Sequence, residues 1–216
     1  MRNCSTGFLL IAAAVAASFG PLAWGQASTK NRPTATAAPS PAAKTWDREP
    51  TTVFGVLLGG PIPRSSFPAC VKPTRENDYA RPSETCLQEP EYGYPIAYLK
   101  GLGISGVADE ASLHLLDEKV VSVHVSFRQQ TYGAMKSILI ERYGPPSKIE
   151  SMDVVTRGGA NLTSEVASWE GVQNEITLVE RVGKVDQSVA AFTNRQMQKL
   201  QQDRKNSATS ENAKKF

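Results

Sequence analysis

Residues 120–127, VVSVHVSF, alternate without a break: Val121, Val123, Val125 and Phe127 share one side of an extended chain, and Ser122, His124 and Ser126 share the other. Side chains of a strand point alternately to its two faces, so this is the pattern of a half-buried strand with His124 on its polar face. At Thr131 the period changes. Tyr132, Met135, Leu139 and Tyr143 recur every three to four residues, with Ile138 alongside. That spacing predicts an amphipathic helix of about 13 residues. Thr131 is placed to cap its start, Gly144 to close its end, and Pro145-Pro146 to stop it. So short a helix is unstable alone, and its apolar face is expected on a sheet.

The remaining elements are read around this pair. VFGVLLGGPI (53–62) predicts a first strand or a tight apolar segment. Residues 63–100 are broken by Pro63, Pro68, Pro73, Pro82, Pro90 and Pro95 and read mostly as loop, with a short extended piece at 96–99. ASLHLL (111–116) and VVSVHVSF form a hairpin joined by Asp117, Glu118 and Lys119. After a polar stretch containing Gly158-Gly159, EVASWE and NEITLVERV make a second hairpin around 171–174, and QSVAAF a further strand. TNRQMQKLQQD is a candidate terminal helix with Met197 and Leu200 as its only large apolar residues. The order predicts an α+β domain: an antiparallel sheet of about four to six strands packed against one main helix, with a disulfide-closed loop. No internal repeat is visible.

The first 27 residues change where this domain is expected to live. Arg2 precedes an apolar run from Phe8 to about Ala17, and small residues cluster at Ala23, Gly25 and Ala27. This is the plan of a secretory signal peptide, 1–27, cleaved after Ala27. The run falls short of the ~20 residues a membrane span needs, so no transmembrane anchor is expected after its removal. Residues 28–45 are a Pro/Ala-rich linker, 46–203 the single domain, and 204–216 a disordered basic tail. Charge divides along the same lines. Arg2 is the signal's one charged residue, so 23 of the 24 basic and all 21 acidic residues remain. The stretch 193–216 holds six basic and two acidic ones, which leaves 17 against 19 for 28–192. A near-neutral body argues against nucleic acid as the partner.

Cys70 and Cys86 are the cysteines left after processing, and they bracket CVKPTRENDYARPSETC. In an oxidising compartment an isolated pair forms a structural disulfide, and neither a CxxC redox spacing nor a metal-ligand set accompanies it. A long closed polar loop is where binding residues sit. Tyr79 lies within it, and Tyr92, Tyr94 and Tyr98 follow in EYGYPIAYL. Tyrosine combines contact area with a polar tip, so these four are the candidate binding residues. Catalytic signatures are lacking. GLGISG (101–106) fits G-x-G-x-x-G but leads into a turn and a strand, where a dinucleotide site opens a helix. No serine stands in G-x-S-x-G. His114 and His124 have no neighbouring Asp, Glu or Cys to complete a metal shell. Trp169 alternates with Ala167 and reads as a core residue beneath the helix. No cofactor and no metal are expected.

The layout resembles a broad class of small periplasmic α+β proteins of Gram-negative bacteria, many without an assigned role. The resemblance rests on the signal and Pro/Ala linker, VFGVLLGGPI before Cys70, the hairpin LLDEKVVSVHVSF, the helix ending ERYGPPS, and the tryptophan strand with EITLVER. It covers residues 53–192 as a layout and carries no functional motif. Some small exported α+β proteins inhibit enzymes or assist envelope assembly, and the resemblance implies a role of that kind. The expectation is a periplasmic or secreted, non-catalytic protein that recognises an envelope protein partner through the stapled loop. The alternative is a hydrolase of cell-wall or polysaccharide material using dispersed carboxylates.

Overall fold

A computed structural model describes residues 46–71, 82–91, 93–104, 106–156 and 158–215. The predicted signal and linker, Tyr79 and Tyr92 lie outside the described residues.

The chain enters through a tight hairpin, β1 (Thr52–Val53) and β2 (Val56–Leu57), turned by Phe54 and Gly55 in left-handed backbone. The main sheet begins with β3 (Cys86–Gln88), β4 (Ile96–Ile104), β5 (Ala108–Leu116) and β6 (Lys119–Arg128). Helix α1 (Tyr132–Tyr143) follows, then β7 (Lys148–Val155), β8 (Asn161–Glu170), β9 (Asn174–Val179), β10 (Gln187–Asn194) and α2 (Arg195–Ala213). One antiparallel sheet of eight strands results, ordered β3-β4-β5-β6-β10-β9-β8-β7. Each half is a four-stranded meander that ends in a helix, and the two last strands, β6 and β10, pair at the centre with Val125 opposite Ala190. The topology thus repeats where the sequence does not.

Antiparallel sheet, helix and disulfide agree with the sequence reading, but the sheet has eight strands instead of four to six, and there are two helices instead of one main helix. β7 was read as a polar stretch because Lys148, Glu150 and Asp153 break any alternation; it is an edge strand exposed on both faces. β3 is three residues among prolines, too short to carry a period. α2 continues to Ala213, past the point where an unstructured tail was expected at 204. Its start is capped by Asn194 Oδ1, which accepts from Met197 N–H at 3.0 Å, and Arg204 pairs with Asp117 at 2.6 Å. Thr131 does not cap α1: its hydroxyl donates to the Arg128 carbonyl at 2.8 Å.

The inner face of the sheet carries the core. Leu99, Leu113, Val123, Val125, Phe192, Ile176, Leu178 and Trp169 come from six neighbouring strands and are fully or almost fully buried. α1 lays Tyr132, Met135, Leu139 and Tyr143 on them, and β1–β2 adds Val53 and Val56. A helix leaves its last carbonyls without intrahelical partners. Here Trp46 Nε1 donates to Tyr143 O (2.8 Å), Trp169 Nε1 to Gly144 O (2.7 Å) and Arg48 to Glu141 O (3.3 Å). Gly144 stands at φ 84°, a conformation that only glycine takes without strain. Glu49 closes the opposite connection: its carboxylate accepts from the N–H groups of Val172, Gln173 and Asn174 in the β8–β9 turn. Trp46 and Glu49, at the start of the first described segment, are therefore bound to elements about a hundred residues later, a purely tertiary link.

Candidate functional site

Alternation puts the other set of side chains on the opposite face. Tyr98, Ser112, His124, Ala191, Thr177 and Ser168 stand in one cross-strand row, and Ile96, His114, Ser122, Thr193 and Glu175 in the next. Most of these side chains are polar or small and half-buried, with Ser122 and Thr193 buried, while the inner face is sealed. The core cluster on the inner face includes α1 and no residue of α2.

The disulfide anchors one end of this face. Cys70 and Cys86 are bonded with Cα atoms 4.9 Å apart. Pro68 and Cys70 run beside β3, where Leu87 N–H donates to Pro68 O at 2.8 Å and Cys70 N–H to Leu87 O at 3.0 Å. Arg64 is held between Glu89 (2.7 Å) and Glu118 (2.6 Å), whose carboxylates raise its pKa further, and this ties the β3 region to the β5–β6 turn. Two of the four predicted binding residues lie here: Tyr94, largely exposed, and Tyr98, half-buried, line a shallow pocket of about 260 Å³ with Gln88, Glu89, Glu91 and Ile96. Tyr79 and Tyr92 are outside the described residues.

His114 on β5 and His124 on β6 are brought together across the hairpin. Their rings lie 4.2 Å apart between centroids, tilted by 36°, and each Nε2 bonds the serine two residues earlier on its own strand, Ser112 at 3.3 Å and Ser122 at 3.0 Å. Burial lowers both pKa values, and the facing His114 contributes to pushing His124 down to about 4. The consequence for stability has a definite sign. Above pH ~6.5 both rings are neutral in either state; as pH falls from there toward 4 the unfolded chain takes up protons that the fold refuses, and stability is lost. With a solvent discount for half-exposed rings the loss is on the order of 1–2 kcal/mol. Urea unfolding at pH 7 and pH 4.5 is expected to show it, and His114→Gln/His124→Gln to remove it. An equal pH dependence in the double variant would assign the effect elsewhere.

A larger cleft, about 830 Å³, escaped sequence reasoning. It opens at the far ends of β4, β5, β6 and β10, with Asp109, Glu110, Arg128, Gln130, Lys184 and Asp186 among its lining. Ile104 and Gly106 of GLGISG line it. Gly101 and Gly103 hold positive φ at an irregularity in β4, and Gly106 turns the hairpin into β5, so the motif is bulge and turn instead of a phosphate loop. At Gly101 a Cβ would come within 2.9 Å of the Glu84 carbonyl, which is why the letter is glycine. Among the described residues no group of three His, Cys, Asp or Glu is placed to hold a metal ion. No described helix is long and apolar enough to cross a membrane.

The chain matches no family model, and no curated protein or solved structure was found to be similar to it.

Proposed function

We propose that the chain is an exported, non-catalytic binding protein of the bacterial envelope, one that recognises a protein partner through the disulfide-anchored end of the open sheet face. The observation that carries this reading is the stripe Tyr94–Ile96–Tyr98, held beside β3 on a half-exposed face that continues into the paired histidines. Tyrosine on rigid backbone loses little entropy when a partner covers it, and aromatic residues dominate binding energy at protein interfaces. The bonded cysteine pair supports an oxidising compartment.

In-cell crosslinking of the tagged, exported chain, followed by mass spectrometry, tests the reading. A single enriched envelope protein is expected, and Tyr94→Ala/Tyr98→Ala is expected to weaken its binding at least tenfold, because each truncated anchor typically costs ~1–2 kcal/mol. An undiminished complex would displace the site from this stripe. The cleft favours a second reading, hydrolysis of cell-wall or polysaccharide material, because Asp109, Glu110 and Asp186 line it together. Turnover of an envelope polysaccharide, lost on Asp186→Asn, would establish that reading in place of the first.

A further inference from the structure

The two edges of the sheet are finished differently. At β3 the edge is three residues long, tied by the disulfide, with Pro68–Cys70 bonded alongside. At the other end β7 is eight residues long, pairs with β8 without a bulge, and exposes every side chain except that of Val154, which is half-buried. Among the described residues no strand pairs with its outer side. An open strand of this length and regularity is a template for another strand.

The phase of the ladder says which groups are offered. Thr156 N–H donates to Ala160 O at 2.9 Å in the same register that sets Val154 opposite Leu162 and Met152 opposite Ser164. Hydrogen-bonded and non-bonded pairs alternate in an antiparallel ladder, so Lys148, Glu150, Met152 and Val154 spend their backbone groups on β8. Ile149, Ser151, Asp153 and Val155 turn theirs outward.

We propose that this free edge pairs with β7 of a second copy of the chain, antiparallel about a two-fold axis at Met152. Such an axis, perpendicular to the sheet, keeps each face on its own side, so only pairings centred on a residue are allowed. Centred on Glu150 or on Asp153, identical acids face each other. Centred on Ser151, Ile149 meets Asp153 and Glu150 meets Met152. Centred on Met152, Ile149 meets the second copy's Val155, Met152 meets Met152, Ser151 meets Asp153, Glu150 meets the half-buried Val154, and no like charges stand opposite. This register alone joins the exposed apolar positions of the strand, Ile149 (53% exposed), Met152 (48%) and Val155 (67%). Lys148 stays paired with Glu150 on its own strand at 2.9 Å. Self-complementarity of this kind is what a two-fold interface requires, and it selects a second copy over an unrelated strand.

Sedimentation equilibrium of the full, disulfide-bonded chain is the test, and a dimer at micromolar concentration is expected. Ser151→Pro removes an N–H that points away from β8, and Met152→Lys puts two cations at the axis; each is expected to raise the dimer Kd at least tenfold with circular dichroism unchanged. Met152→Cys tests the register, since facing residues of a non-bonded pair lie ~4.5 Å apart, within disulfide reach. It is expected to oxidise to a covalent dimer, and Asp153→Cys, which faces Ser151, is not. A monomer throughout, a dimer indifferent to both edge variants, or equal crosslinking at the two cysteine positions would overturn the proposal. So would a monomer that takes up a strand from a different protein.

Discussion

Trp169→Ala is expected to lower the free energy of unfolding by about 5 kcal/mol, read from chemical denaturation at neutral pH. Large aromatic-to-alanine changes in a core cost ~3–5 kcal/mol through lost transfer energy and an unfilled cavity. Trp169 is fully buried, opposite Ile176. Its indole N–H also takes up the Gly144 carbonyl at the end of α1, a group that Pro145 and Pro146 leave without a helical successor. Orphaning that carbonyl adds ~1–3 kcal/mol where water does not replace the donor. Trp169→Phe separates the two contributions: it keeps most of the volume and loses the bond, so ~1–3 kcal/mol is expected. A loss below ~2 kcal/mol for the alanine variant would mean that α1 is not held to the sheet through this residue.

Cys70→Ala/Cys86→Ala is expected to cost about 3 kcal/mol at 25 °C. The bond closes a loop with a sequence separation of 16, and a loop near that length restricts the unfolded chain by roughly that amount. Reduction of the wild-type chain should give a similar fall. The native arrangement also has backbone bonds between Pro68–Cys70 and Leu87 that the substitution leaves in place. A fall below ~1 kcal/mol would mean that these bonds already confine the loop ends in the unfolded ensemble. The variant should weaken partner binding as well, because Tyr98 stands opposite Gln88 on the strand that the disulfide anchors.

Strong periodicity was legible where one face is buried and the other wet. β6 and α1 were read close to their true limits, and the burial of Trp169 followed from its alternation with Ala167. β7 was not legible, because a strand exposed on both faces has no reason to alternate. The turn at Asp117 and Glu118 was placed, but its backbone was not foreseen: both residues take positive φ, at 50° and 62°, the geometry of a two-residue hairpin turn usually written with Asn or Gly. Thr131 shows the limit of capping rules. The residue type is right and the position adjacent, yet its hydroxyl points back to Arg128 because a short 3-10 turn, Gln129–Thr131, precedes the helix.

The candidate site divides in the same way. Tyr94 and Tyr98 were singled out from composition, as aromatics in a proline-bounded stretch beside a cysteine pair, and the structure sets them on one shallow pocket. The cleft of Asp109, Glu110, Arg128, Lys184 and Asp186 was not, since its residues come from strand ends about 75 positions apart, brought together by β6 and β10 pairing at the sheet centre.

By itself the sequence determined the local elements with one-sided burial, the cysteine pair, and the class of fold, because each of these depends on neighbours within a few residues or on a single pairing choice. Long-range folding set the rest: two meanders join into one eight-stranded sheet through β6 and β10, the two histidine rings meet, and α1 ends on the indoles of Trp46 and Trp169. Those outcomes turn on long-range register, and register comes from burying one face of every strand at once, a condition that no short window of the chain contains.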